Sequence, residues 1–220
     1  MFTPILEGQR YGHAVGKVVC IGRNYAAHAA ELNNPVPDQP VLFLKPSDAV
    51  CDVRSPVRIP EGLGEVHHEL EVAVLIGETL TRASADEVSA AIAGVGLGLD
   101  LTLRDIQTGL KEKRLPWDRA KAFDHACPIS EFVSVERVSD WQNLSFSIVR
   151  NGELQQTGNT RDMLNTVIPL IAHMSETFRL NPGDVIMTGT PPGVGPLVAG
   201  DKLELSLEDW ISLQTTVVNG

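Results

Sequence analysis

Glu69-Leu70-Glu71-Val72-Ala73-Val74-Leu75-Ile76 is an apolar strand with two acids at its start. With a side-chain period of two, Leu70, Val72, Val74 and Ile76 share one face, and Glu69 and Glu71 share the other. The two acids then stand about 7 Å apart at Cα, from a rise of ~3.3 Å per residue. Like charges so placed repel unless they are solvated, protonated or bridged by a cation. These residues alone leave two readings open. Either the acids line the wet face of a half-buried strand, as exposed carboxylates usually do, or they begin a metal site.

Neighbouring segments extend both readings. His67 and His68 adjoin the pair and keep zinc possible. Ser84-Ala85-Asp86-Glu87 is a capping box opening a helix to about Ala93. Residues 95–101 read as a buried, glycine-rich strand that presents Asp100 near its end, where an acid needs a partner. Thr102 is then expected to cap a helix to about Lys113. On it Leu103, Ile106 and Leu110 form one stripe, and Arg104 and Gln107 share another face. Glu69, Glu71 and Asp100, with no Cys or clustered His, make a hard donor set suited to Mg²⁺ or Mn²⁺.

The rest of the chain is mostly strand. Residues 17–21 and 41–44 read as strands, the second ending at Lys45-Pro46. Residues 24–32 read as a short alanine-rich helix stopped by Asn33-Asn34-Pro35. Residues 55–60 carry two prolines and suit only an edge or a loop. Leu144, Phe146 and Ile148 alternate ahead of a type I′ hairpin turn at Asn151-Gly152. Thr160 starts a helical pattern through Met163, Val167, Ile171, Met174 and Phe178, with a kink expected at Pro169. Residues 185–190, 203–207 and 211–218 read as strands. Many strands, few helices and no regular βαβ alternation give a β-rich α+β fold. Residues 1–16 read as an N-terminal extension and 17–220 as one domain.

Composition narrows the partners. The 220 residues include 28 acidic and 18 basic ones, a net charge of -10. That balance opposes nucleic acid and an anionic membrane surface, which both require clustered Lys and Arg. The three cysteines, Cys20, Cys51 and Cys127, are odd in number and form no CxxC, which points to a reduced, cytoplasmic chain. No basic region followed by an apolar stretch opens the sequence, and no apolar run reaches the roughly 20 residues of a membrane span. An anionic ligand would therefore need a local cationic site or a bound metal.

Several residues could build such a site. His28 and Glu31 lie three apart on one helix face. A carboxylate beside an imidazole raises its basicity, which suits a general base for water, although an ordinary surface pair fits as well. Their helix is too short to be stable without packing and could serve as a lid. Lys45, Arg104 and Lys121 could supply the positive charge. Lys111-Glu112-Lys113-Arg114 reads as an exposed helix end. The loop Thr188-Gly189-Thr190-Pro191-Pro192-Gly193-Val194-Gly195 has no phosphate-loop lysine and fails GxGxxG spacing, leaving a rigid turn or a loop presenting the Thr190 hydroxyl to substrate.

Taken in order, Gly22-Arg23-Asn24-Tyr25, His28 with Glu31, Phe43-Leu44-Lys45-Pro46, His67 to Glu71, Asp100 to Gln107, Lys121-Ala122-Phe123-Asp124 and Thr188-Gly189-Thr190-Pro191 resemble the fumarylacetoacetate hydrolase family, in its short single-domain branch. The resemblance runs over about residues 17–218. It implies a mixed β-roll with a few peripheral helices, usually a homodimer. It implies Mg²⁺ or Mn²⁺ on Glu69, Glu71 and Asp100, and catalytic roles for His28, Glu31 and Lys121. Lys45, Arg104, Gln107 and Thr190 match substrate-site positions. The substrates implied are small anionic 2-oxo or 2,4-dioxo acids, reacting through an enolate that the metal stabilises. The leading expectation is C–C bond hydrolysis of acylpyruvates of the fumarylpyruvate or acetylpyruvate type. The alternatives are an oxaloacetate tautomerase or decarboxylase, or a 2-hydroxyhepta-2,4-dienedioate isomerase of aromatic catabolism. Outside enzymes, a non-catalytic metal or dicarboxylate binder would keep the acids without needing the His28–Glu31 pair.

Overall fold

Leu70–Ile76 is a strand inside an eight-stranded mixed sheet. Its order is Val41–Pro46, Lys17–Gly22, Val185–Met187, Leu70–Ile76, Ile92–Leu99, Cys127–Ile129 and Val50–Asp52, with Val133–Ser134 also paired to Ile92–Leu99. The computed structural model describes residues 1–32 and 34–220. The helix expected over 24–32 is Ala26–Glu31; Asn33, part of its expected stop, lies outside the described residues.

Both faces of Leu70–Ile76 are dry, so the wet-face reading fails. Leu70, Val72, Val74 and Ile76 join the main core with Phe146, Ile148, Leu203, Leu205 and Leu207 of a second sheet and with Leu170, Ile171 and Met174 of the helix Val167–Thr177. On the other face Ala73 and Leu75 join a smaller core with Val18, Cys20, Met187, Cys127 and Phe132. Each fully buried Leu, Ile or Val contributes about 1.5–3 kcal/mol here. Phe2, Leu6 and Tyr11 pack against this smaller core, so residues 1–16 fold back on the sheet. Their hairpin pairs Ile5–Leu6 with Gln9–Arg10, and Phe132 N–H donates to the Ile5 carbonyl at 2.8 Å.

The second sheet has five strands in the order Glu153–Asn159, Ser145–Arg150, Lys202–Leu207, Ile211–Asn219 and Val57–Ile59. The proline-flanked Val57–Ile59 takes the edge, where a missing N–H does no harm. Asn151 and Gly152 have φ of 55° and 83°, as a type I′ turn requires. A small sheet of Thr102–Leu103, Val66–His68 and Gly195–Pro196 joins segments flanking the acids. The result is a β-rich α+β fold with a curled mixed sheet.

Three local expectations change. Ser84 and Glu87 do form the capping box, but their helix is Ala85–Ala91 and the chain then enters Ile92–Leu99 directly. Thr102 caps nothing. It pairs in a strand with His67, and the helix Arg104–Glu112 starts after Leu103 without a side-chain cap. The pattern from Thr160 splits into the turn Thr160–Asp162, capped by the Asn159 side chain, and the helix Val167–Thr177. Pro169 is the third residue of that helix. A first-turn N–H has no intrahelical partner, so no kink is required.

The three cysteines are free thiols. Burial, and then the Asp52 charge, push the half-buried Cys51 thiol up to about 12. Among the described residues no helix is long and apolar enough to cross a membrane.

Candidate active site

Two antiparallel neighbours bring the acids together. Glu71 is the second residue of Leu70–Ile76 and Glu69 precedes that strand; Asp100 follows Ile92–Leu99. The Asp100 N–H donates to the Glu69 carbonyl at 2.8 Å, closing the pair of strand ends. Opposite Glu71 stands Gly98, where a Cβ would come within 2.6 Å of Met187 Sδ. One oxygen from each of Glu69, Glu71 and Asp100 lies within 4.8 Å of the others. The three residues are 5%, 1% and 1% exposed.

Three cations meet this cluster. Lys121 Nζ donates to Glu69 Oε2 at 2.8 Å, Asp100 Oδ2 at 2.6 Å and Thr102 Oγ1 at 2.7 Å. Arg104 donates to Glu69 Oε1 and, at 2.7 Å, to Gln107 Oε1. Lys45 Nζ lies 2.8 Å from Asp100 Oδ1. Its three hydrogens, however, go to the carbonyls of Leu101, Lys121 and Ala126, which leaves Asp100 Oδ1 without a donor. Glu71 accepts the Gly189 N–H at 2.6 Å and pairs with no cation among the described residues.

The electrostatics follow that arrangement. Burial works to raise Glu69, but Lys121 and Arg104 outweigh it and hold its carboxyl well below the usual range. Burial, then the Asp100 and Glu69 charges, push Glu71 well above that range. Burial opposes the Lys121 charge, yet Asp100 and Glu69 raise its pKa. An all-oxygen donor set, a buried oxygen without a donor and an acid without a cation fit a hard dication of the Mg²⁺ or Mn²⁺ kind. The histidines that kept zinc open are engaged elsewhere. His67 meets Glu65 and Arg104, and His68 Nδ1 meets Gln156 Oε1 at 2.9 Å.

His28 and Glu31 are in contact on the short helix Ala26–Glu31. His28 Nδ1 lies 3.1 Å from Glu31 Oε2, and Glu31 Oε1 accepts the Gly193 N–H at 2.9 Å. The glycine–proline loop thus touches both the helix Ala26–Glu31 and, through Gly189, the acids. Gln156, only 1% exposed, reaches it from the five-stranded sheet. Its Nε2 donates to Thr190 Oγ1 and the Pro191 carbonyl, each at 2.8 Å; its Oε1 accepts the Leu70 N–H at 3.0 Å. Thr190 donates its own hydroxyl hydrogen to the Leu70 carbonyl at 2.8 Å. Gly189 has φ of 98°, and a Cβ there would lie 2.6 Å from Asn24 Cβ. Gly189→Ala is expected to destabilise the protein by about 1–3 kcal/mol through backbone strain, read as a lower midpoint in thermal denaturation.

A narrow cavity of about 30 Å³, room for about two water molecules, opens onto the acids. A family model described as "Fumarylacetoacetate (FAA) hydrolase C-terminal" matches residues 17–218 of this chain. The chain belongs to the fumarylacetoacetate hydrolase family.

Individual members of the fumarylacetoacetate hydrolase family lie close to it. Oxaloacetate tautomerase YcgM of Escherichia coli (strain K12) is 51% identical over 213 residues, 96% of this chain and 97% of that protein. A solved structure from Oleispira antarctica is 53% identical, covers 99% of this chain and 100% of that one, and gives a TM-score of 0.95. Fumarylpyruvate hydrolase from Pseudomonas aeruginosa, solved in complex with Mn²⁺ and pyruvate, is 30% identical with a TM-score of 0.90, covering 100% of this chain and 98% of that one.

Among the residues expected at a fumarylacetoacetate hydrolase-type site, the cavity wall carries His28, Glu69, Glu71, Asp100, Arg104, Gln107, Lys121 and Thr190. Two stand apart. Lys45, wholly buried, props Asp100 from behind and does not line the cavity; Glu31 reaches it only through His28. The Thr190 hydroxyl, expected to face substrate, spends its hydrogen on Leu70.

Other wall residues had been given no site role: Arg23 and Phe43, quoted only within the family motifs, Lys111, read as an exposed helix end, and Trp117 line it too. Lys111 corrects the exposed-end reading. It lies seven residues after Arg104, so the spacing that pairs Arg104 with Gln107 continues to Lys111 on the same helix face. The mixed charge run around it masked that signal. Thr102 was read as a cap and instead binds Lys121.

Proposed function

We propose that this protein is a divalent-metal-dependent enzyme of small 2-oxo acids, and that it interconverts the keto and enol forms of an oxaloacetate-type acid. The observation that carries this reading is the position of Lys121. Its ammonium lines the cavity and touches two of the three acids. A dication held by Glu69, Glu71 and Asp100 would supply Lewis acidity toward the keto and carboxylate oxygens of a 2-oxo acid, which weakens the C–H bonds at C3. Lys121 Nζ, kept an ammonium by Asp100 and Glu69, would give a proton to C3 of the enol, and the amine so formed would regain the proton lost from the enol O–H; the keto-to-enol direction reverses both transfers. Arg104 keeps guanidinium hydrogens beyond those given to Glu69, Gln107 and His67, and these orient a ligand carboxylate. Tautomerisation consumes no water and forms no leaving group, so it asks for no group beyond the dication, Lys121 and the residues that orient the acid. The 51% identity to a named oxaloacetate tautomerase supports the same reading.

Acylpyruvate hydrolysis, the leading expectation from sequence, is the second reading. One observation favours it: the His28–Glu31 pair is assembled, with the imidazole on the cavity wall. There His28 would take a proton from water attacking the distal carbonyl. The likeness to a fumarylpyruvate hydrolase supports it at the level of the family.

The test is a panel of oxaloacetate, acetylpyruvate and fumarylpyruvate followed by NMR with Mg²⁺ or Mn²⁺. Tautomerisation should dominate, and His28→Ala should retain at least about a tenth of it, since only the hydrolytic route needs an activated water. Faster release of pyruvate from acylpyruvates, lost in His28→Ala, would replace the first reading by the second. The proposal extends to a homodimer in a reducing, cytoplasmic setting. Three free thiols support the setting. An apolar groove beside the site, with Leu42, Leu44, Leu115 and Phe178 on its walls, supports the dimer, which sedimentation would read.

A further inference from the structure

The strand Val41–Pro46 buries its charge and exposes its hydrocarbon. Lys45 is 0% exposed, whereas its neighbour Leu44 is 38% exposed. A lysine is almost never fully buried unless it is paired, so the interior must replace the hydration it loses. Here four oxygens do so. The ammonium donates to the carbonyls of Leu101 and Ala126 at 3.1 and 3.0 Å and to that of Lys121, and Asp100 Oδ1 lies 2.8 Å away.

Hydrogen bonding alone does not account for the fourth oxygen. An ammonium has three hydrogens. The three carbonyls take them, and Asp100 Oδ1 is held by charge without a donor. Carbonyl oxygens that stand in for a hydration shell are how proteins hold a bare monovalent cation. The size agrees. Mg²⁺ draws six oxygens in to about 2.0–2.1 Å, and this cage is wider and smaller in number. The charge agrees too. The carbonyls are neutral and the carboxylate is shared with Lys121, so a single positive charge suffices.

The cage joins segments that the active site needs in register. Leu101 follows Asp100 in the chain. Lys121 ends the short helix Asp118–Lys121, so its carbonyl has no helical partner. The Ala126 carbonyl also accepts the Leu101 N–H at 3.0 Å. One cation thereby ties the backbone of Lys121 to the carboxylate of Asp100, whose other oxygen accepts from Lys121 Nζ at 2.6 Å.

We infer that Lys45 serves as a tethered monovalent cation: its ammonium fills a site of the potassium or ammonium kind and so positions Asp100 and the Lys121 segment without any free salt. Lys45 is a positioning residue, since it does not line the cavity. The cage rests on geometry alone; only its effect on turnover rests on the reading of Lys121 as the group that moves the C3 proton.

The experiment removes the tether and supplies the ion from solution. Lys45→Ala opens the cage together with the channel that the side chain occupied. Lys45→Met fills that channel with an unbranched apolar chain. The full-length proteins are melted in the chlorides of ammonium, potassium, lithium and tetramethylammonium at equal ionic strength. Loss of the ammonium strands a buried carboxylate, so both variants should melt at least about 6 °C below wild type in tetramethylammonium chloride. Ammonium and potassium should return at least about half of that loss to Lys45→Ala, with a midpoint that climbs with the logarithm of concentration, as site binding requires. Lithium is too small to reach all four oxygens and tetramethylammonium too large to enter, so each should return less than about a fifth. Wild type and Lys45→Met should not discriminate among the salts. Turnover of oxaloacetate by Mn²⁺-loaded Lys45→Ala should follow the same salt order. A Lys45→Ala protein that melts alike in all four salts, or that fails to fold in all of them, would overturn the cation site. Rescue of Lys45→Met by ammonium would overturn it as well. Salt-ordered melting with turnover indifferent to the salt would keep the cage and overturn its positioning role. Salt-ordered melting in a protein whose wild type does not tautomerise oxaloacetate would uphold the cage and overturn only the proposed reaction.

Discussion

Lys121→Met should lower the turnover number for oxaloacetate tautomerisation by about 10²–10⁴-fold, the range typical of a positioned general acid or base. Methionine keeps the apolar stem of the side chain but loses the ammonium, which lies 5.1 Å from the centre of the Phe43 ring. It removes the proton and the charge together. The charge also matters for stability, because Glu69 and Asp100 both lean on this ammonium. Stranding buried acids in this way costs about 3–5 kcal/mol in the metal-free protein, so Lys121→Met should be assayed with Mn²⁺ present and its folding checked by circular dichroism. Lys121→Arg separates the two roles. A guanidinium restores the positive charge and the stability but does not release its proton near neutral pH. It should melt near the wild-type temperature and remain as slow as Lys121→Met. A fast Lys121→Arg enzyme would remove the lysine from proton transfer.

The second large effect concerns Glu71. Chelation with EDTA should reduce turnover to background, and Mn²⁺ should restore it. Glu71→Gln should not be rescued at the same Mn²⁺ concentration. Outer-shell changes at metal sites typically cost 10–100-fold in affinity, so loss of a charged ligand should cost at least about 100-fold. The same substitution should make the metal-free protein more stable. Glu71 is the acid of the three without a cation, and glutamine keeps an oxygen for the Gly189 N–H. A gain of about 1 kcal/mol would raise the melting temperature by about 2–4 °C for a chain of this size. Wild type should gain about 2.7 kcal/mol at a Mn²⁺ concentration of 100 times Kd, and Glu71→Gln should gain almost none. Unchanged Mn²⁺ stabilisation in Glu71→Gln would exclude Glu71 as a ligand.

Much of this site is written locally. The period of two places Glu69 and Glu71 on one side, and the apolar run before Asp100 places that acid at a strand end. Convergence of the strand ends depends on pairing Leu70 with Leu99, a contact between residues far apart in the chain. What local pattern could not show was the second core. A strand whose alternate positions read Glu, Ala, Leu looks half-wet until Phe2, Leu6 and Phe132 cover it. Thr102 misled for a related reason: a threonine before a helix usually caps it, but here strand pairing with His67 took the backbone. Lys45 looked like a wall residue because it ends an apolar strand. Three carbonyls converging from distant segments instead draw its ammonium inside.

Gln156 stitches Leu70, Thr190 and Pro191 to the five-stranded sheet, so the acids and the loop behind them share one frame. Arg23 and Lys111 stand on elements joined to the same frame: the strand Lys17–Gly22 pairs with Val185–Met187, and the helix of Lys111 carries Arg104 onto Glu69. A substitution at position 156 should therefore reach the acids, the loop and the cavity wall together, whatever ligand the cavity holds.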